Sequence, residues 1–163
     1  METLGDLTRY LSTLPNPPEK YKVAVGSLIF TPEDELILLE RGTKARDAVG
    51  KLEGVGGGID DGETNLHDVL KREIREEIGI EVTIDDVLTV KILPGTKYPF
   101  WVVVDYLCRL QSGEPTIREP GKIKAIHLLS VPEIKDSQLS KYQLVAMSVY
   151  RQKFGTKPYY KNE

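Results

Sequence analysis

One cysteine, Cys108, stands in a chain of 163 residues, so no disulfide can form within it. Its setting in "VVVDYLCRL" marks a small buried thiol and not a reactive one. Long hydrophobic runs are also missing, and the apolar stretches present are too short to span a bilayer. The start, "METLGDLTRY", carries acid early and lacks the basic end and apolar centre of a signal peptide. The expectation is a cytoplasmic protein with no membrane partner. Nor is there an excess of one charge: 22 basic residues against 25 acidic leave a net charge of -3, which offers no general surface for a nucleic-acid backbone. The two histidines, His67 and His127, are far apart and read as structural or exposed. What remains, 29% charged beside 40% hydrophobic residues with ordinary glycine and proline, belongs to a globular chain. Its length suits one domain spanning 1–163, with an N-terminal helix and linker over 1–20.

Leu4, Leu7, Leu11 and Leu14 recur at helical spacing until "PNPP" stops them. "YKVAVGSLIF" and "ELILLERG" are β-rich runs split by "TPED", which predicts neighbouring strands. The segment 42–51, "GTKARDAVGK", has no periodicity and reads as a loop; Lys44 and Arg46 are its candidates for contact with substrate phosphate, beside the default of solvated charge. "LEGVGGGIDDGE" then runs into three glycines, whose backbone freedom is costly unless used. A helix should start at Thr64 or Asn65 and end at Ile78, with Gly79 in the left-handed conformation. Strands are predicted over 81–93, 99–110 and "IKAIHLL", and a closing helix over "DSQLSKYQLVAMSVYRQKF" with an Asp-Ser start. Aromatics at 98–101 are expected in the core by default, with stacking on a base as the alternative. This order of elements implies a sheet with helices on its faces.

On the central helix, Leu66, Leu70, Ile74 and Ile78 form one stripe with Val69 beside it. Lys71, Arg72, Arg75 and Asp68 point to the solvent side. Glu73, Glu76 and Glu77 share an adjoining arc at i, i+3 and i+4. A surface helix laced with pairs such as Arg72 to Glu76 is the plain reading. Yet like charges on one arc repel, and near a helix C-terminus the dipole disfavours them. A hard divalent cation bound through oxygen would compensate.

"GGGIDDGETNLHDVLKREIREEIGI" resembles the signature of the Nudix hydrolases. The second half matches at every fixed place: Arg72, Glu73, Ile74, Glu76, Glu77, Gly79 and Ile80. By chance such a match occurs in on the order of one in ten million windows. In the first half Gly57 and Glu63 keep the family's separation, but eight residues instead of seven lie between Glu63 and Arg72, and Val55 stands where a proline is frequent. Pairing Gly58 with Thr64 restores the spacing and loses the acid. The resemblance implies an α/β fold, a Nudix-like α/β/α sandwich with a mixed β-sheet between helices.

It also implies a Nudix-type pyrophosphohydrolase that uses Mg²⁺ or Mn²⁺ to cleave the diphosphate bond of a nucleoside diphosphate linked to another group: a nucleotide sugar, a dinucleoside polyphosphate or a nucleoside triphosphate. Carried over by position, Glu73, Glu76, Glu77 and the Gly56 carbonyl would hold the metal, and Arg72 would orient a glutamate. The base is open between Glu76, Glu77 and Glu119, the last sitting just before a strand where similar proteins often place a late acid. Pro94 and Tyr98 loosely satisfy two different substrate clues, so the substrate stays open; Tyr98 is a candidate substrate contact. The resemblance leaves a rival reading, a nucleotide-binding or regulatory protein without turnover. Dimers are common among similar proteins.

Overall fold

The computed structural model describes residues 1–45, 47–95 and 97–161. The two β-rich runs become β1 (Lys22–Phe30) and β2 (Leu36–Arg41), antiparallel and meeting at Phe30 and Leu36. The turn between them is closed by Thr31 N–H donating to Glu35 O at 2.8 Å. β3 (Leu52–Glu53), β5 (Glu81–Pro94) and β6 (Phe100–Ser112) complete the order β3-β2-β1-β6-β5, while β4 (Gly56–Gly58) pairs with β1 and β7 (Ile123–Leu129) with β2. β1 and β6 run parallel from the Lys22–Trp101 pair to the Phe30–Arg109 pair, and the other pairings are antiparallel. The sheet is therefore mixed, as expected.

Helices cover both faces. α1 (Leu4–Ser12) buries Leu7 and Leu11, and α2 (Leu66–Ile78) buries its expected stripe against Val25, Ile29, Val104 and Tyr106. On the opposite face α3 (Lys141–Phe154) packs Ala146, Met147 and Tyr150 on Leu28, Phe30 and Leu107. Side chains of β6 alternate between these cores, as the two-residue period of a strand requires. Each fully buried Leu or Ile contributes roughly 1.5–3 kcal/mol through burial, which explains why a stripe of five apolar residues decides how α2 is rotated. Cys108 is buried in the α2-side core, and burial pushes its thiol pKa up, out of reactive range. No helix among the described residues is long and apolar enough to cross a membrane.

Two expectations change, and two features were not anticipated. The glycine run is a strand, because Ala24, Val25 and Gly26 of β1 supply backbone partners for Gly58, Gly57 and Gly56. The closing helix does not start at Asp136-Ser137: those residues form a 3-10 turn, and Ser140 caps α3 by accepting from Gln143 N–H at 3.2 Å. Leu139 is held extended by a bridge to Leu52, whose carbonyl also takes the Ser140 N–H, so the helix cannot begin earlier. Tyr98 and Phe100 are half-exposed at the β5–β6 turn and do not enter the core. Finally, Asp105 and Lys91 form a buried ion pair at 2.9 Å under α3, with Lys91 Nζ also donating to Tyr142 O.

A candidate acidic active site

Asn65 opens α2 by accepting from Asp68 N–H at 3.0 Å, and Gly79, at φ 70°, ends it with its N–H shared between the Ile74 and Arg75 carbonyls. With the buried stripe seated, the three glutamates are fixed in azimuth. Glu73 faces β4. A Cβ on Gly57 would lie 2.4 Å from the Glu73 carboxyl carbon and 2.6 Å from each oxygen, so only glycine admits the carboxylate there. Gly57→Ala should therefore displace Glu73 and cut turnover by about 10²-fold, since a shift near 1 Å suffices for such a loss, with little change in thermal midpoint; kinetics and a melting curve test this, and parent-level turnover would refute it.

Glu77 lies deeper. Burial, reinforced by the charges of Glu73 and Glu119, pushes its carboxyl up to about 8, with Lys122 and the Gly56 backbone acting in the opposite sense. Glu73 is also raised, mainly by burial, with Arg72 opposing. Glu119 arrives from the loop between β6 and β7, and two backbone bonds pin that loop to the end of α2: Thr116 N–H to Ile78 O and Arg118 N–H to Glu77 O, both 3.0 Å. The Glu119 carboxylate lies 3.0 Å from Lys122 Nζ. Its Oε2 is nonetheless enclosed without a well-directed hydrogen bond.

Arg72 does not point to solvent. Its guanidinium bonds Glu63 through two nitrogens (2.8 and 3.1 Å) and reaches Glu73 and Glu76, each at 3.1 Å. The fork geometry of arginine suits this bridging of several carboxylates. Glu63 is thus joined to the site despite the extra residue after it. That contact was missed in the sequence because the spacing alone argued against Glu63. Glu76 is half-exposed on the outer side of Arg72.

Among the described residues no three His, Cys, Asp or Glu side chains are gathered tightly enough to ligate one ion as they stand. Arg72 and Lys122 engage the acids instead, Arg72 spanning Glu73 and Glu76 and Lys122 meeting Glu119. The donor chemistry nevertheless fits a hard divalent cation: mutually repelling carboxylate oxygens, with a Glu119 oxygen enclosed beside Lys122. Gly56 lies on β4 next to Glu77. Lys44 sits beside the Glu119 loop, its N–H donating to Gly121 O at 2.9 Å. Arg46 lies outside the described residues. Tyr98 is at the β5–β6 turn with Lys22 Nζ 4.7 Å from its ring centre, apart from the contacts described around Glu73 and Glu77.

A helix bearing acids, set against a glycine strand on an α/β/α sandwich and faced by a further glutamate, is the arrangement that the Nudix resemblance implies for a pyrophosphohydrolase. The NUDIX domain model matches residues 20–148, and the chain belongs to that family. No curated protein matches it. Among solved structures it is similar to a MutT NUDIX hydrolase from Burkholderia pseudomallei, with 26% identity over 80% of this chain and 98% of that one and a TM-score of 0.70. A MutT protein from Methanosarcina mazei Go1 is 19% identical over 83% and 97% of the two chains, TM-score 0.70. An ADP-ribose pyrophosphatase from Streptococcus suis 89-1591 is 20% identical over 81% and 90%, TM-score 0.61. The last two show the fold alone.

Proposed function

We propose that this chain, acting as one domain, hydrolyses the diphosphate bond of a nucleoside diphosphate linked to another group, with Mg²⁺ or Mn²⁺ held by Glu73, Glu76, Glu77 and the Gly56 carbonyl. The observation that carries this reading is the docking of the Glu119 loop on the end of α2, which turns a fourth carboxylate toward Glu73 and Glu77. Carboxylates crowded in this way favour a cation strongly enough to offset their repulsion. When bound, the metal supplies charge neutralisation at the phosphate oxygens and acidifies a water.

The chain's own residues do the rest. Glu77, kept protonated in the metal-free site by burial and its neighbours, would ionise once the cation binds and is then suited to take the proton from water as it attacks phosphorus. Glu119, opposite it, is the other candidate base. Arg72 orients Glu73 and Glu76 and is itself tied by Glu63, so its charge is spent on acids and not on substrate. Lys44 and Lys122 stand at the rim, where a substrate phosphate would meet them.

Assay with ADP-ribose, UDP-glucose, diadenosine tetraphosphate and ATP in Mg²⁺ tests the reading, with EDTA as control. Turnover that EDTA abolishes is expected. Tight nucleotide binding with no turnover of any of the four would make the chain a nucleotide binder and end the catalytic reading.

A further inference from the structure

β4 is three residues long and among the described residues pairs with β1 alone, yet it serves both inner acids. Gly57 seats the Glu73 carboxylate, and the Gly56 backbone hydrogen-bonds the Glu77 carboxylate. So short a ladder needs further anchorage to fix its place. The chain reaches β4 from β3 through Gly54 and Val55, which belong to neither strand. Gly54 presses so closely on β1 that a Cβ there would lie 2.1 Å from Ser27 O. Its N–H donates to Gln143 Oε1 at 2.9 Å, and the next carbonyl, Val55 O, accepts from Ser27 Oγ at 2.7 Å. The two bonds come from opposite faces of the sheet. Ser27 shares the face of Val25 and Ile29 under α2, whereas Gln143 reaches in from the first turn of α3.

We propose that Gln143 and Ser27 are positioning residues for the metal site: together they clamp the Gly54–Val55 segment and so fix where Gly56 and Gly57 meet the acids. Helix α3, on the far face of the sheet, is then part of the site's support. The proposal rests on the reading in which the Gly56 carbonyl holds the cation. The residue type at 143 argues for this role. Gln143 is 6% exposed and its Nε2 is enclosed with no hydrogen-bond partner, a cost that a methionine of similar length would avoid. What methionine could not supply is the Oε1 acceptor for the Gly54 N–H. Ser27, also buried, spends its hydroxyl on Val55 in the same way.

Mg²⁺ titrated calorimetrically into the parent, Gln143→Met, Ser27→Ala and a control, Met147→Ala, tests the clamp. Met147 lies in the α3-side core and makes neither bond. The Kd is expected to rise roughly 10- to 100-fold in Gln143→Met, the usual loss when a support behind a metal ligand is removed. In Ser27→Ala it should rise roughly 2- to 10-fold, the worth of one hydrogen bond. In both variants the backbone amides of 54–57 should exchange faster with deuterium in the metal-free protein. Met147→Ala should lower the thermal midpoint at least as much, by opening a core cavity, while its Kd stays within about twofold of the parent. A folded Gln143→Met with the parent's Kd overturns the role of Gln143, and the same result in Ser27→Ala overturns that of Ser27; in either case the diphosphatase reading stands. Equal weakening in Met147→Ala and Gln143→Met would reduce the effect to lost stability and also overturn the proposal. If Gln143→Met does not fold, Kd and exchange in Ser27→Ala decide. If the parent takes up no Mg²⁺, the proposal falls together with the metal site itself.

Discussion

Glu77→Gln is expected to lower kcat by about 10²- to 10⁴-fold, the usual range for loss of a general base, while the metal-free protein melts no lower than the parent. The two effects have one cause. Glu77 is enclosed between α2, β4 and the Glu119 loop, where its ionised form is opposed by burial and by the charges of Glu73 and Glu119. An amide of the same shape carries no charge, so it relieves that repulsion and cannot accept the proton. Activity and stability then move apart, as they do where a site is built at the expense of the fold. Steady-state kinetics with Mg²⁺ and a thermal melt in EDTA measure both. Equal rates in variant and parent would remove Glu77 from the mechanism. Parallel Glu76→Gln and Glu119→Gln variants rank the alternatives, with Glu76, half-exposed beside Arg72, expected to cost least.

Metal and pH should act on stability in opposite directions. In the unfolded chain Glu77 releases its proton near its ordinary value of 4.5, while in the fold it keeps the proton up to about 8. Between these values the folded state binds more protons than the unfolded state, so stability is highest on the acid side and falls as pH rises through the window. The slope is at most about 1.4 kcal/mol per pH unit. The sum is on the order of a few kcal/mol, reduced by partial solvent access. Mg²⁺ binds the ionised carboxylates, so it should restore the loss at the alkaline end, by about 2.7 kcal/mol at a concentration one hundred times its Kd. Urea unfolding at each end of the window, in EDTA and in Mg²⁺, checks this. A metal-free stability that does not decline with pH, together with no gain from Mg²⁺, would contradict the acidic-site account.

Some of the site was legible because the information is local. The cap at Asn65, the left-handed stop at Gly79, the stripe from Leu66 to Ile78 and the common arc of Glu73, Glu76 and Glu77 depend only on residues within a few helical turns. The resemblance carried by Arg72 to Ile80 extended that to the family. Arg72 was misplaced for the opposite reason: helical geometry aims it outward, but Glu63, nine residues earlier, wraps back to meet it. No spacing rule announces such a loop.

The sequence by itself determined the helices, most of the strands and which carboxylates lie on one face, because backbone periodicity and capping act over a handful of residues. Only the tertiary structure decided that the glycine run would be a strand cradling Glu73 and that Glu119 would face Glu77. Those outcomes require segments distant along the chain to pair through backbone hydrogen bonds and shared burial, and such pairing is selected by the free energy of the whole packed sheet.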